Sequence, residues 1–134
     1  MYDNNLGIKE CSNNLQERWE QVRELGESIC KTLINEVEKI GLKDKALLIA
    51  PWERARFELQ RDPASGQSSL FGIWQDSNGH RMGSIVFHCD GSFFAEYDVV
   101  EQHPKDQRWF VEAVNAWGKD RTIKAEPRLL PMVL

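Results

Sequence analysis

The sequence has no long hydrophobic run and no excess of basic residues. Its longest apolar stretch, residues 46–51, is far shorter than the roughly 20 residues that a membrane-spanning helix requires. The 17 Lys and Arg residues are outnumbered by 21 Asp and Glu residues, which leaves a net charge of -4 and opposes binding to a phosphate backbone. We therefore expect neither a membrane nor a nucleic acid as a partner.

Cysteine is scarce as well. Cys11, Cys30 and Cys89 are odd in number and widely scattered, which predicts reduced thiols and not a disulfide framework. Residues 1–5 lack the basic stretch and apolar segment of a secretion signal. Both observations indicate a cytoplasmic protein.

Signatures of catalysis and of metal binding are also missing. The chain has no nucleophile elbow and no glycine-rich phosphate loop between a strand and a helix. No pair of cysteines or histidines has the spacing of a zinc site, and the neighbours His88 and Cys89 would point to opposite faces of a strand. We expect no metal, no cofactor and no catalytic residue, so an enzyme is the less favoured class of protein.

A long amphipathic helix is the clearest element in the first part of the chain. With 134 residues, the chain forms one domain, of which the polar residues 1–12 are expected to be flexible. One helical stripe follows, and Gly41 ends the helix. The stripe either covers a sheet within the chain, which we favour, or forms a homodimer seam. It consists of Leu15, Trp19, Val22, Gly26, Ile29, Leu33, Val37 and Ile40.

The middle of the chain predicts an antiparallel meander of four strands. Residues 54–61 alternate between apolar and polar, and two-residue turns at Asn78-Gly79 and Asp90-Gly91 divide the next three apolar runs. These turns predict that Trp74 lies opposite Gly83 and that Phe87 lies opposite Phe94. The core face of the sheet would then hold Phe71, Ile73, Met82, Val86, Phe93, Ala95, Tyr97 and Val99.

A second helix and an extended tail are expected after the meander. Four apolar residues at helical spacing, Phe110, Val111, Val114 and Trp117, predict a helix over residues 105–117. The apolar, proline-containing residues 123–134 form the tail. The expected fold class is therefore α+β: a long N-terminal helix, a four-stranded antiparallel β-meander, a C-terminal helix and an extended tail.

The opposite face of the predicted sheet carries the candidate binding site. On this face the Trp74 indole would lie over a depression left by Gly83, with charged residues beside it, and Trp and Arg are common anchors of protein interfaces. The alternative is that the tail covers Phe87 and Phe94, and that Trp74 merely shields the glycine. The candidate binding residues are Trp74, Arg81, Arg56, Phe87, Phe94, Glu96 and Asp98.

These features favour a protein-interaction module, an adaptor or chaperone-like protein that binds an unidentified protein or peptide through this face. The alternative is a small-molecule-binding protein or minor enzyme with a pocket over Gly72 and Gly83. In that case Arg56 and Arg81 would hold an anionic group, and a carboxylate of the same face, Glu96 or Asp98, would act as a base.

Overall fold

The computed structural model describes residues 19–49, 51–61, 63–64, 66, 68–119 and 121–132. The segment that we expected to be flexible, residues 1–12, and the expected start of the first helix lie outside this part. The described residues form a long helix α1, a short helix α2, a 3-10 turn and six strands. Their bounds are α1 Trp19–Ile40, α2 Lys43–Ala46, the 3-10 turn Trp52–Arg54, β1 Arg56–Arg61, β2 Ser68–Gln75, β3 Arg81–His88, β4 Ser92–Gln102, β5 Trp109–Lys119 and β6 Thr122–Pro131.

The six strands form one open antiparallel sheet in which each strand pairs with the next along the chain. The expected fold class is wrong on this point, because the meander has six strands and only α1 is a helix of substantial length in the described residues. The protein is mostly sheet. The predicted C-terminal helix and extended tail are β5 and β6.

The predicted helix over residues 105–117 is wrong because a β-bulge imitates helical spacing. The pairing of β5 with β6 shifts by one residue between Val111 and Ala113. Val111 and Val114 are therefore both fully buried although they are three residues apart. A bulge adds one residue to the two-residue period of a strand, so a step of three appears in the sequence.

The tail is the sixth strand. Ile123 and Ala125 are partly buried against the core, whereas the alternating Lys124 and Glu126 are exposed. β6 lies at the edge of the sheet, where its proline, Pro127, is tolerated because an edge strand leaves some backbone N–H groups unpaired. The tail thus extends the sheet and does not cover its outer face, and the last residues, 133–134, lie outside the described part.

The predicted register is confirmed for most of β2 and β3 and wrong between β3 and β4. At the turn end of β2 the pairing with β3 shifts by one residue, so that Arg81 lies opposite Gln75 and not opposite the expected Asp76. Trp74 does lie opposite Gly83, but Phe87 lies opposite Phe93 and not Phe94. The turn between β3 and β4 has three residues, 89–91, with Gly91 at φ 90° and its N–H donating to the carbonyl of residue 88 at 3.1 Å. A slip of one residue moves every side chain of a strand to the other face.

This slip reverses the faces that we expected for β2 and β3. Trp74, Ile85 and Phe87 lie on the inner face and are buried, at 4%, 0% and 3% exposure. Phe71, Ile73 and Val86 lie on the opposite face and are only half-buried, and Met82 is also partly buried. In β4 the expected core residues are correct, since Phe93, Ala95, Tyr97 and Val99 are all buried.

Helix α1 covers the inner face of the sheet. Ile29, Leu33 and Val37 of its apolar stripe have no exposed surface, and they belong to one core cluster with the inward residues of the strands. The first interpretation of the stripe, packing within the chain, therefore agrees with the burial of these residues. The side chain of Trp19 lies outside the described part of the structure.

The expectation of three reduced thiols is wrong, because Cys89 is disulfide-bonded. Burial raises the pKa of the Cys30 thiol to about 12, so this sulfur stays protonated at neutral pH. The oxidised Cys89 removes one of the two arguments for a cytoplasmic location. Among the described residues, no helix combines the length and the apolar character that crossing a membrane would require.

Candidate functional site

The outer face of the sheet, which points away from α1, carries a cluster of five charged side chains. Glu96 and Asp98 point outward from β4 because residues two apart share a face of a strand. Arg81 of β3 pairs with both of them, and Arg128 of β6 pairs with Glu96 and also with Glu112 of β5. We call these five residues the ionic cluster.

Glu96 is the centre of the ionic cluster. The Arg128 guanidinium donates two hydrogen bonds to it, Nη1 to Oε2 and Nη2 to Oε1, both at 3.2 Å. The Nε of the same Arg128 side chain donates to Glu112 Oε2 at 3.1 Å. On the other side Arg81 Nη2 donates to Glu96 Oε1 at 3.1 Å, and Arg81 Nε lies 3.5 Å from Asp98 Oδ2. A bidentate contact such as that of Arg128 with Glu96 fixes the orientation of both partners.

The two carboxylates of β4 have opposite pKa shifts. Burial alone would raise the pKa of Glu96, but the hydrogen bonds and charge of Arg128, together with the charge of Arg81, outweigh it and lower this pKa. The pKa of Asp98 is raised by burial first and then by the neighbouring Glu96 charge, although the charge of Arg81 opposes this shift. Glu96 therefore remains ionised as the pH falls, whereas Asp98 takes up a proton more readily than a solvated aspartate.

An apolar row crosses the outer face next to the ionic cluster. Four residues lie directly opposite one another on four consecutive strands: Phe71 on β2, Val86 on β3, Phe94 on β4 and Trp117 on β5. Phe94 is 37% exposed, and the other three are half-buried. With about 4.8 Å between strands, the row is about 15 Å long.

The structure separates the predicted binding residues into two groups. Trp74 and Phe87 belong to the core and not to the outer face: the Trp74 indole Nε1 donates to the Pro51 carbonyl at 3.1 Å, and the Phe87 ring lies 5.9 Å from the Trp52 ring. Arg81, Phe94, Glu96 and Asp98 do come together on the outer face. Arg56 lies on the same face, opposite Ile73 at the β1 edge.

The depression expected over the two glycines is filled. A Cβ atom on Gly72 would lie 2.5 Å from Cε1 of Phe57, and a Cβ atom on Gly83 would lie 2.4 Å from the Glu96 carbonyl oxygen. A cavity of about 310 Å³ does open elsewhere, lined by residues 41–45, Leu48 and Glu101. No described group of three or more His, Cys, Asp or Glu side chains could hold a metal ion together.

Sequence reasoning missed five residues of the ionic cluster and the apolar row. It placed Phe71 and Val86 on the core face, and it assigned Glu112, Trp117 and Arg128 to a helix and a tail. The alternation of residues 122–128 was a signal that could have found the last of them. Apolar Ile123 and Ala125 alternate there with polar residues, as expected of a half-buried strand.

Comparisons with protein-family models, with curated proteins and with solved structures produced no match to this chain. The geometry of the outer face is therefore the basis for a functional interpretation.

Proposed function

We propose that this protein is an interaction module, an adaptor or chaperone-like protein, that binds a polypeptide segment on the outer face of its sheet. The observation that carries this proposal is the apolar row of Phe71, Val86, Phe94 and Trp117. Antiparallel sheets with one face against the core usually present alternating polar residues on the other face. Four apolar side chains in register across four strands depart from that pattern, and a partly exposed apolar surface of this kind is typical of binding sites.

The dimensions of the row indicate the form of the partner. An extended peptide cannot pair with the interior strands β2–β5, because their backbone groups already pair with neighbouring strands. A helix of about three turns is about 16 Å long and presents an apolar stripe through residues three and four apart. Such an amphipathic helix matches the length of about 15 Å that the strand spacing gives the row.

The ionic cluster adds a preference for charge. It contains three carboxylates, of Glu96, Asp98 and Glu112, and two guanidinium groups, of Arg81 and Arg128. Its net charge is negative by one when all five groups are ionised. A basic residue beside the apolar stripe of the partner would therefore be attracted, and the pairing would fix the direction of the bound helix.

Site-specific photo-crosslinking tests this proposal. A photoreactive phenylalanine analogue replaces Phe94 on the outer face, and the control protein carries the same analogue at the exposed Lys31 of α1. A protein that crosslinks at position 94 and not at position 31 is purified, and its binding is measured with Phe94→Ser and with the control Lys31→Ser. We expect Phe94→Ser to raise the Kd by about 30-fold, as for a central interface residue. Identical crosslinks at both positions, or an unchanged Kd, would refute the proposal.

The alternative function predicts a different result. If the outer face instead holds a small anion, inorganic phosphate should raise the Tm of the wild-type protein, and Arg81→Ala should abolish this increase. The engagement of Arg81 with Glu96 and Asp98 counts against that outcome, because a bound anion would compete with two carboxylates.

A further inference from the structure

The strand β1 is an exposed edge with little core beneath it. It is the first strand of the sheet and pairs on one side only, with β2. Five of its six residues are exposed, and Phe57 alone is partly buried. Leu59 is 42% exposed although it is a large apolar residue. All six residues of β1 thus pair with β2, although they lie beyond the part of the sheet that α1 covers.

The two edges of the sheet differ in their protection against pairing. β6 contains Pro127 and Pro131, which have no N–H group to donate to a further strand. β1 has no proline, so every residue of Arg56–Arg61 has a backbone donor and acceptor. Strand addition requires an exposed sheet edge with backbone donors and acceptors, and of the two edges β1 meets this requirement better.

We propose that a second copy of this chain pairs with the β1 edge in antiparallel orientation, in a register centred on Phe57, and that the two sheets become continuous. This register places Arg56 opposite Glu58 of the partner subunit and, by symmetry, repeats the ion pair. It also places the exposed Leu59 opposite the partner's Ala55, whose backbone is extended at φ −66° and ψ 146°. The charges of β1 are therefore complementary to those of its own copy.

Neighbouring registers of β1 are less favourable. Two strands related by a two-fold axis must pair residues that share a face, so the axis passes through a residue. A centre at Glu58 sets two like charges directly opposite each other, which destabilises the pair. A centre at Leu59 sets Glu58 opposite the partner's Gln60 and Phe57 opposite the partner's Arg61, with no opposite charges among these positions. Only the centre at Phe57 forms two attractive ion pairs within β1.

Sedimentation velocity over a wide range of protein concentration measures this association, with the whole chain and a set of charge variants. Arg56→Glu and Glu58→Arg each set like charges opposite each other twice, and each should raise the dimer Kd by about tenfold or more. The two substitutions change the net charge in opposite directions, so a non-specific charge effect cannot weaken both. The double variant Arg56→Glu/Glu58→Arg restores the pairs and should restore the wild-type Kd.

The matched control is Lys124→Glu, which alters an exposed charge on the opposite edge, β6, and should leave the dimer Kd unchanged. All substituted residues are exposed, and circular dichroism verifies that each variant is folded. A wild-type protein that stays monomeric at its highest concentration would overturn the proposal. A dimer that tolerates both single variants, or a double variant as weak as the single ones, would overturn it as well. The proposal does not rest on the apolar row, since the four residues of that row lie on β2 to β5 and none of them lies on β1.

Discussion

Gly26 lies in the middle of helix α1, directly against the indole of Trp52. A Cβ atom on Gly26 would lie 2.4 Å from Cδ2 and 2.5 Å from Cγ of this ring. Trp52 is 1% exposed, and its ring has edge contacts with Phe57 at 5.6 Å and with Phe87 at 5.9 Å. The indole therefore has little room to retreat, and Gly26→Ala must displace the helix or the ring.

The expected effect of Gly26→Ala is the difference of two opposing contributions. In the interior of a helix, alanine is more favourable than glycine by about 1 kcal/mol. Overpacking a well-packed core costs about 1–3 kcal/mol, and the neighbours of Trp52 favour the upper part of this range. We therefore expect a net loss of about 1–2 kcal/mol in the free energy of unfolding, measured by urea denaturation monitored by circular dichroism.

Two further variants make this prediction decisive. Lys31→Ala changes an exposed position of the same helix and should alter stability by no more than about 0.5 kcal/mol. Trp52→Leu removes the indole and destabilises the protein by itself, but adding Gly26→Ala to it should then cost less than in the wild-type background. If Gly26→Ala is instead more stable than the wild type, α1 does not pack on Trp52 and the packing described above is wrong.

Burial, charge and backbone geometry give four other predictions. Ile29→Ala should lower the free energy of unfolding by about 2–5 kcal/mol in urea denaturation, because Ile29 has no exposed surface; a loss below 1 kcal/mol would exclude a core position. The pKa of Glu96 is lowered in the folded protein, so its carboxylate stabilises the fold above its unfolded pKa. This contribution is lost as the pH falls through its folded pKa. Glu96→Gln should therefore lower the free energy of unfolding by about 1 kcal/mol at pH 7 and leave it unchanged in acid. The pKa of Asp98 is raised in the folded protein, so its contribution to stability is present below its unfolded pKa and is lost as the pH rises through its folded pKa. Asp98→Asn should therefore leave the stability at pH 7 unchanged or increase it. A clear decrease of the Tm in thermal unfolding would contradict this expectation. Val100 has φ 54°, which a β-branched residue rarely adopts, so Val100→Gly should raise the unfolding free energy by about 1 kcal/mol, whereas a loss in the same urea assay would show that the strain is not relieved.

The local patterns of the sequence were sufficient to predict one helix and several strands. The stripe that includes Ile29 and Leu33 keeps the period of a helix from residue 22 to residue 40, and a repeat of that length indicates a helix with one apolar side. The alternation of residues 54–61 and the Asn78-Gly79 turn were sufficient to predict three strands, β1 to β3, and the pairing of Trp74 with Gly83. These features depend on neighbours within a few residues, so they can be read without a fold.

Such local patterns predicted only part of the candidate site. Glu96 and Asp98 share a face because they are two apart in one strand, and this holds whatever lies beside them. Arg128, which pairs with Glu96, is about 30 residues away, and the contact exists only because β5 and β6 continue the sheet. A β-bulge at Val111 concealed that continuation by giving β5 the spacing of a helix.

The assignment of faces required the tertiary structure. One extra residue in the turn before β4 sets Phe87 opposite Phe93, and this single step moves Trp74 and Phe87 from the expected binding surface into the core. A turn of two residues and a turn of three residues have nearly the same local sequence signal. The choice between them depends on which faces of all the strands can be buried together under α1, and that is a property of the whole sheet and not of any one segment.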